Sequence, residues 1–135
     1  MKVNKKNPLA AGFSLVEMLV VIAVIGIIAA IAVPNIGKIN DSAKDARKRR
    51  NAQNIASVFA SAQAAGLDFS TGLTTESDII GAVIDGGTVT EVGPFNGTFF
   101  GVPNVDKTVA GSETDGAAKY LSWDATNGLL LYTGK

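Results

Sequence analysis

No cysteine and no histidine occur in this 135-residue chain. Without cysteine there are no disulfides, no thiolate catalysis and no sulfur-ligated metal sites. That absence does not set the compartment, because a secreted chain can do without disulfides. Without histidine the commonest general base and the commonest transition-metal ligand are missing. An enzyme would have to work with carboxylates, hydroxyls or lysines. Charge of one sign is also missing. Twelve Lys and Arg balance twelve Asp and Glu, so no bulk attraction to nucleic acid or to an acidic surface follows. The many Ser and Thr lack a plausible base, and the acidic residues show no pairing at an identifiable spacing. No catalytic constellation emerges.

What is present is unevenly spread. The length suits one small domain, but much of the apolar content sits in residues 13–33, where Glu17 is the only charge. As a helix, this block of about 21 residues rises roughly 30 Å, one hydrocarbon thickness. It is rich in Val, Ile and Ala, so propensity alone does not force a helix. In lipid, unpaired backbone groups are so costly that a single spanning segment must be helical. Before it lies a short polar leader, residues 1–12, whose only charges are Lys2, Lys5 and Lys6.

Three readings compete for the apolar block. As a secretory signal it offers Ala30-Ile31-Ala32 as a small-x-small cleavage site. Its run is longer than a signal core, and it contains a carboxylate. As a plain signal anchor it leaves Glu17 unexplained. A carboxylate inside a bilayer costs at least a few kcal/mol unless it finds a partner. Near the helix start it can also snorkel to the interface or sit at the positive end of the helix dipole.

The third reading rests on the segment Gly12-Phe13-Ser14-Leu15-Val16-Glu17-Met18-Leu19. It resembles the prepilin processing and methylation motif of type IV pilins and type II secretion pseudopilins. A basic leader ends in Gly, Phe follows, a Glu stands five positions after the Gly, and an apolar stretch continues. Gly26 and Pro34 fall where members of that family carry a glycine and a proline. The resemblance covers about residues 1–65 and implies a structural filament subunit of the bacterial inner membrane. It implies that a prepilin peptidase cuts between Gly12 and Phe13 and methylates the new amine of Phe13. It implies an inner-membrane assembly platform and a cytoplasmic ATPase as partners, with a homo-oligomer or a mixed filament of pilins or pseudopilins as product. It casts Glu17 as partner to the Phe13 amine of a neighbouring subunit. An ammonium and a carboxylate each carry a large desolvation cost away from water; pairing them removes most of it and sets the axial register.

The leader must stay cytoplasmic for this processing, which places the globular head in the periplasm, and its lysines suit the inner side. A plain charge count leaves orientation open. Lys38, Lys44, Arg47, Lys48, Arg49 and Arg50 outnumber the leader's lysines, and Asp41 and Asp45 offset little. The lack of a cysteine pair near the C-terminus departs from many true pilins and leans toward a pseudopilin.

Glycine and proline either simply mark a bend in a membrane helix or, as the resemblance implies, loosen it in the filament. Proline removes one hydrogen bond and crowds the preceding turn, so the helix is expected to bend or unwind between Gly26 and Pro34 and then resume. Ile36, Ile39, Ala43 and Ala46, then Ala52, Ile55, Phe59 and Ala62, recur at helical spacing and read as one apolar stripe. Gly66 is a natural stop. The whole helix would run roughly 50 residues, about 80 Å. The basic run at residues 47–50 has no interleaved aromatics to stack bases. Acidic lipid head groups or neighbouring acidic subunits suit it better than specific nucleic acid.

The expected fold class is α+β and pilin-like. A long N-terminal helix, its first half transmembrane, packs on a short helix and a small antiparallel sheet. The segments are a leader (1–12), a transmembrane and filament-core helix (13–34), an amphipathic continuation (35–65) and a small head (66–135). In the head, residues 75–85 read as a helix capped by Thr74 or Thr75 and ended by Gly86, burying Ile79, Ile80, Val83 and Ile84. Residues 88–92 and 98–102 read as short strands. Residues 120–123 and 129–132 read as a hairpin, with Asn127-Gly128 as turn signal. Trp123, Phe59, Phe99, Leu121 and Leu130 are the core candidates. Asp106, Glu113, Asp115 and Asp124 lie in a Gly- and Thr-rich region, and hard oxygen ligands suit calcium. Their spacing matches no defensible ligand pattern, so solvated loop carboxylates are the simpler reading and no cofactor is expected. The rival functions are a membrane-anchored periplasmic binding module or adhesin that does not polymerise, and a periplasmic enzyme.

Overall fold

The computed structural model describes residues 12–112 and 116–134. The leader before Gly12, and with it Lys2, Lys5 and Lys6, lies outside the described residues, as do Glu113 and Asp115. Two compact units divide the chain, Met1–Asp41 and Ser42–Lys135.

One helix, α1, runs from Leu15 to Ala64. In the first unit its apolar side chains are exposed almost without exception, from Leu15 at 79% to Met18 at 45%. It is long and apolar enough to cross a membrane. Helical structure continues through Gly26 and Pro34 without a break, so the expected local unwinding is absent from the single chain. Part of the reason is local. Pro34 has no N–H to give the preceding turn, and the Asn35 side-chain amide donates to the Ile31 carbonyl at 3.2 Å. The carbonyl that Pro34 leaves without its donor is that of Ala30, and the Asn35 bond adds a polar contact one residue on, of the kind with which membrane helices tolerate proline.

In the second unit α1 buries Ala52, Ile55, Phe59 and Ala62, a face repeating every three or four residues. The helix ends at Gly66, whose φ of 93° only glycine adopts easily. Leu67 N–H donates to the Ala62 carbonyl at 2.8 Å and Gly66 N–H to Gln63 at 3.1 Å, the paired bonds of a Schellman stop. The expected single stripe needs correction. Ala43 and Ala46 are exposed. Six residues separate Ala46 from Ala52, roughly 240° around a helix of 3.6 residues per turn. They therefore occupy the opposite side of α1 from the buried face. Ile36 and Ile39 are exposed as well.

The head is built on α2, Glu76–Asp85. Thr75 Oγ1 accepts from Asp78 N–H at 3.3 Å, and Gly86 closes the last turn with its N–H on the Ala82 carbonyl. Ile79, Ile80, Val83 and Ile84 are buried as their spacing predicts. A short helix α3, Lys107–Ala110, and a 3-10 turn, Ala117–Tyr120, pack beside it.

Two separate two-stranded antiparallel sheets replace the single expected one. Strands β3, Leu121–Asp124, and β4, Leu129–Tyr132, form the expected hairpin with Trp123 opposite Leu130. Gly128, at φ 62°, supplies the turn. The other pair shrinks to β1, Gly87–Thr88, and β2, Phe99–Phe100. Beyond them, Asn96 Nδ2 donates to the Thr90 and Glu91 carbonyls at 3.1 and 3.0 Å, occupying acceptors that a longer ladder would have used.

The core gathers Ile55, Phe59, Ile79, Ile80, Val83 and Tyr120, all essentially without solvent contact. Leu121 and Leu130 join it. Trp123 is half-buried and meets Phe59 edge-on, 5.8 Å between centroids. Phe99 is the exception among the core candidates, 56% exposed. In so short a strand it takes the outward position while Phe100 turns inward. Its ring lies across Gly86 and Gly101, where it leaves no room for a Cβ.

Candidate assembly site at the helix start

Ser14 precedes α1 and caps it. Its Oγ accepts from Val16 N–H at 3.2 Å, and its carbonyl accepts from Met18 N–H at 3.2 Å. Glu17, three residues on, reaches back so that Oε2 accepts the Ser14 N–H at 2.8 Å. This is a capping box. It satisfies two backbone donors that a helix start leaves open, and it places a negative charge at the positive end of the dipole. Sequence reasoning missed it, although a Ser followed three residues later by a Glu just before an apolar run is its signature. Glu17 Oε1 has no partner among the described residues. Phe13 lies just outside the helix, and the space around Gly12 is open. Cleavage between Gly12 and Phe13 would leave the Ser14 amide, and so the box, intact.

Gly26 lies on the same helix, and nothing comes within 4 Å of where its Cβ would stand. No contact inside this chain therefore requires glycine there. Pro34 lies eight residues further on in the same helix, next to Asn35, whose side-chain amide bonds the Ile31 carbonyl.

Of the calcium candidates, Asp106 and Asp124 lie among the described residues, and each is engaged locally. Asp106 caps α3, with Oδ1 accepting from Thr108 N–H at 2.9 Å. Asp124 holds the hairpin turn through Thr126 N–H at 2.9 Å and Asn127 Nδ2 at 2.7 Å. Hydrogen bonds to Thr108 and to Asn127, respectively, hold both carboxyls below the ordinary aspartate range. Among the described residues no group of three or more acidic side chains is placed to hold a metal.

One cluster escaped sequence reasoning altogether. The buried Tyr120 hydroxyl donates to Asp45 Oδ1, and Arg49 Nε donates to Asp45 Oδ2 at 3.0 Å. Arg49 also lies over the Tyr120 ring, 4.8 Å from its centroid, and its Nη1 reaches the Gly134 carbonyl at 3.4 Å. The Tyr120 hydrogen bond, then Arg49, push the Asp45 carboxyl down. Asp45 and Arg49 show the readable four-residue helix spacing. Tyr120 lies 75 residues away from Asp45, and no local signal connects them. Within the basic run, Arg49 is thus committed to the head's own structure.

Residues 8–33 match the family described as the prokaryotic N-terminal methylation motif, the hallmark of type IV pilins and pseudopilins. No curated protein and no solved structure matches the chain. The layout around the motif is α+β and pilin-like: a long apolar N-terminal helix, a short helix and small antiparallel sheets. The motif supports a type IV pilin-like or pseudopilin-like protein, and the family that carries it is a structural type. The motif implies processing by prepilin peptidase and filament assembly, and the apolar helix is consistent with anchoring in a membrane.

Proposed function

We propose that this chain is a structural subunit of a type II secretion pseudopilus or type IV pilus. A prepilin peptidase cuts after the leader at Gly12 and methylates Phe13. The mature chain waits in the bacterial inner membrane as a single-pass protein, with the head in the periplasm. An assembly platform and its ATPase then polymerise it through α1, alone or with other pilins or pseudopilins. In the filament Glu17 meets the Phe13 amine of a neighbouring copy, and the stretch between Gly26 and Pro34 supplies flexibility. The absence of a cysteine pair favours the secretion pseudopilus.

The carrying observation is the exposure of every large apolar side chain between Phe13 and Val33 beside one carboxylate. Such a surface is stable only in lipid or against other apolar helices. A plain anchor would explain the apolar part and leave Glu17 at the helix start as a cap alone. Mass spectrometry of the membrane-purified chain tests the reading, and an N-methylated Phe13 terminus is expected. A retained leader, or a terminus at Val33, would overturn it and indicate an anchored binding module or ordinary signal cleavage.

A further inference from the structure

The second unit leaves two surfaces uncovered, and they complement one another. The first is the loop at residues 91–96. Val92 is fully exposed and Phe95 is 48% exposed, beside the exposed Glu91. Lone exposed apolar residues are ordinary, but two on one rigid tip are a patch. The tip is held from within. Gly97 N–H donates to the Val89 carbonyl at 2.8 Å and Thr98 N–H to Phe95 at 2.9 Å, while Asn96 clamps the Thr90 and Glu91 carbonyls. A loop already ordered loses little entropy on binding. The second surface is the side of α1 opposite Ala52, Ile55, Phe59 and Ala62. It carries Ala46, Arg47 and Arg50, all exposed, and neither arginine has a partner among the described residues.

Charge says what covers them. Residues 38–50 carry six cationic side chains against two aspartates, an excess of four positive charges. Residues 66–135 carry nine carboxylates against three lysines, an excess of six negative charges. Opposite excesses on two segments of one chain favour contact between copies over contact of one segment with its own kind. The Glu91 carboxylate on the apolar tip also argues against insertion of that tip into an anionic membrane.

We infer that the tip of one copy, through Glu91, Val92 and Phe95, docks on the helix face of a second copy at Ala46, Arg47 and Arg50. Val92 and Phe95 cover Ala46, and Glu91 sits between the two guanidinium groups. The tip lies beside Ala64 and Gly66 at the end of α1, about 20 Å along the helix from Arg50 by rise per residue. A contact between two different patches displaced along an axis does not close on itself as a two-fold dimer does; it propagates as a ring or an open helical array. The inference rests on the filament reading and adds the head-to-helix contact to it.

The chain's lack of cysteine gives a clean background for the test. Full-length copies carrying Val92→Cys and differently tagged copies carrying Ala46→Cys are co-expressed in cells with the assembly machinery, then mildly oxidised. Both positions are exposed, so neither substitution touches the core. A mixed disulfide dimer is expected, exceeding the dimer formed by either variant alone. Adding Glu91→Lys to the first copy is expected to lower its yield about tenfold, and Arg47→Glu with Arg50→Glu in the second copy is expected to restore it. Filaments of the unmodified chain, seen by electron microscopy, separate the two ideas. Normal filaments without the mixed dimer, or a yield indifferent to Glu91→Lys, overturn the docking contact and leave the filament reading standing. A mixed dimer without filaments keeps the contact and removes the filament reading. Neither dimer nor filaments removes both.

Discussion

The two ends of α1 use similar side chains for opposite ends. Between Ala52 and Ala62 the apolar residues stand on one face and are sealed by the chain's own head. Between Phe13 and Val33 they stand on all faces, and nothing among the described residues covers them. The first arrangement is a folding signal satisfied in cis. The second is apolar all round, the pattern of a helix whose solvent is lipid or other helices. Each end also carries one acid that matters. Glu17 closes the helix start through a capping box, whereas Asp45 gathers Arg49 and the Tyr120 hydroxyl from a distant part of the head.

The sharpest way to break this contrast is to damage each end separately. Phe59→Ala should cost about 3–5 kcal/mol, the usual loss for a buried aromatic ring. Membrane association should survive, because no residue of the apolar block is touched. Urea unfolding of the detergent-solubilised chain, followed by the fluorescence of its single tryptophan, checks this directly, since Trp123 packs on Phe59. Loss of membrane association in the same variant would show that the two ends are not independent.

Next in size is the helix start. Glu17→Gln keeps the capping bond, since glutamine serves in the box as glutamate does, but removes the charge. Ser14→Ala keeps the charge and should loosen the first turn by about 1 kcal/mol. If Glu17 pairs with a neighbour's amine, filament yield should fall by about tenfold or more for Glu17→Gln and little for Ser14→Ala. Equal yields for Glu17→Gln and the unmodified chain would reduce Glu17 to a cap.

The Asp45 cluster predicts a pH effect with a definite sign. Its folded carboxyl lies below the ordinary value of 3.8. The folded state therefore binds that proton less readily than the unfolded chain. The stabilisation is present above the unfolded value and is lost as pH falls through the folded one. Tyr120→Phe removes the leading cause of the shift. Its urea midpoint should therefore fall less between pH 5 and pH 2 than that of the unmodified chain. Asp68, Asp106 and Asp124 are shifted the same way, so acid sensitivity persists in both proteins and only the difference reports Asp45. A Tyr120→Phe curve parallel to that of the unmodified chain would dismiss the cluster as an energetic contact.

The smallest effect belongs to Lys107 and Asp85, paired at 2.6 Å with both side chains more than half exposed. Lys107→Ala should change stability by about 1 kcal/mol or less, as exposed pairs do. The same urea titration measures it.

Local patterns carried far into this fold. Thr75, the four buried residues of α2 and Gly86 were readable because a cap, a 3.6-residue period and a left-handed glycine each act over one or two turns. The hairpin with its Asn127-Gly128 turn was readable for the same reason, as was the stop at Gly66. Phase was the first failure. Ala43 and Ala46 keep helical spacing among themselves, yet the six-residue step to Ala52 turns them away from the head. Local alternation also overstated β1 and β2, because it does not reveal that Asn96 takes the Thr90 and Glu91 carbonyls. Phe99, greasy and β-prone, was misplaced in the core for want of knowing which side of a two-residue strand faces in.

By sequence alone the chain was committed to an apolar helix with one acid near its start, to the N-terminal methylation motif that residues 8–33 match, and to the ends of α2. Each of these is set by neighbours within a few residues, or by the bulk preference of a long apolar run. The tertiary structure alone decided which face of α1 the head covers, that Phe99 lies outside, and that Tyr120 reaches back to Asp45 and Arg49. Those outcomes depend on surfaces brought together from distant parts of the chain, where packing in three dimensions selects among faces that local periodicity leaves equivalent.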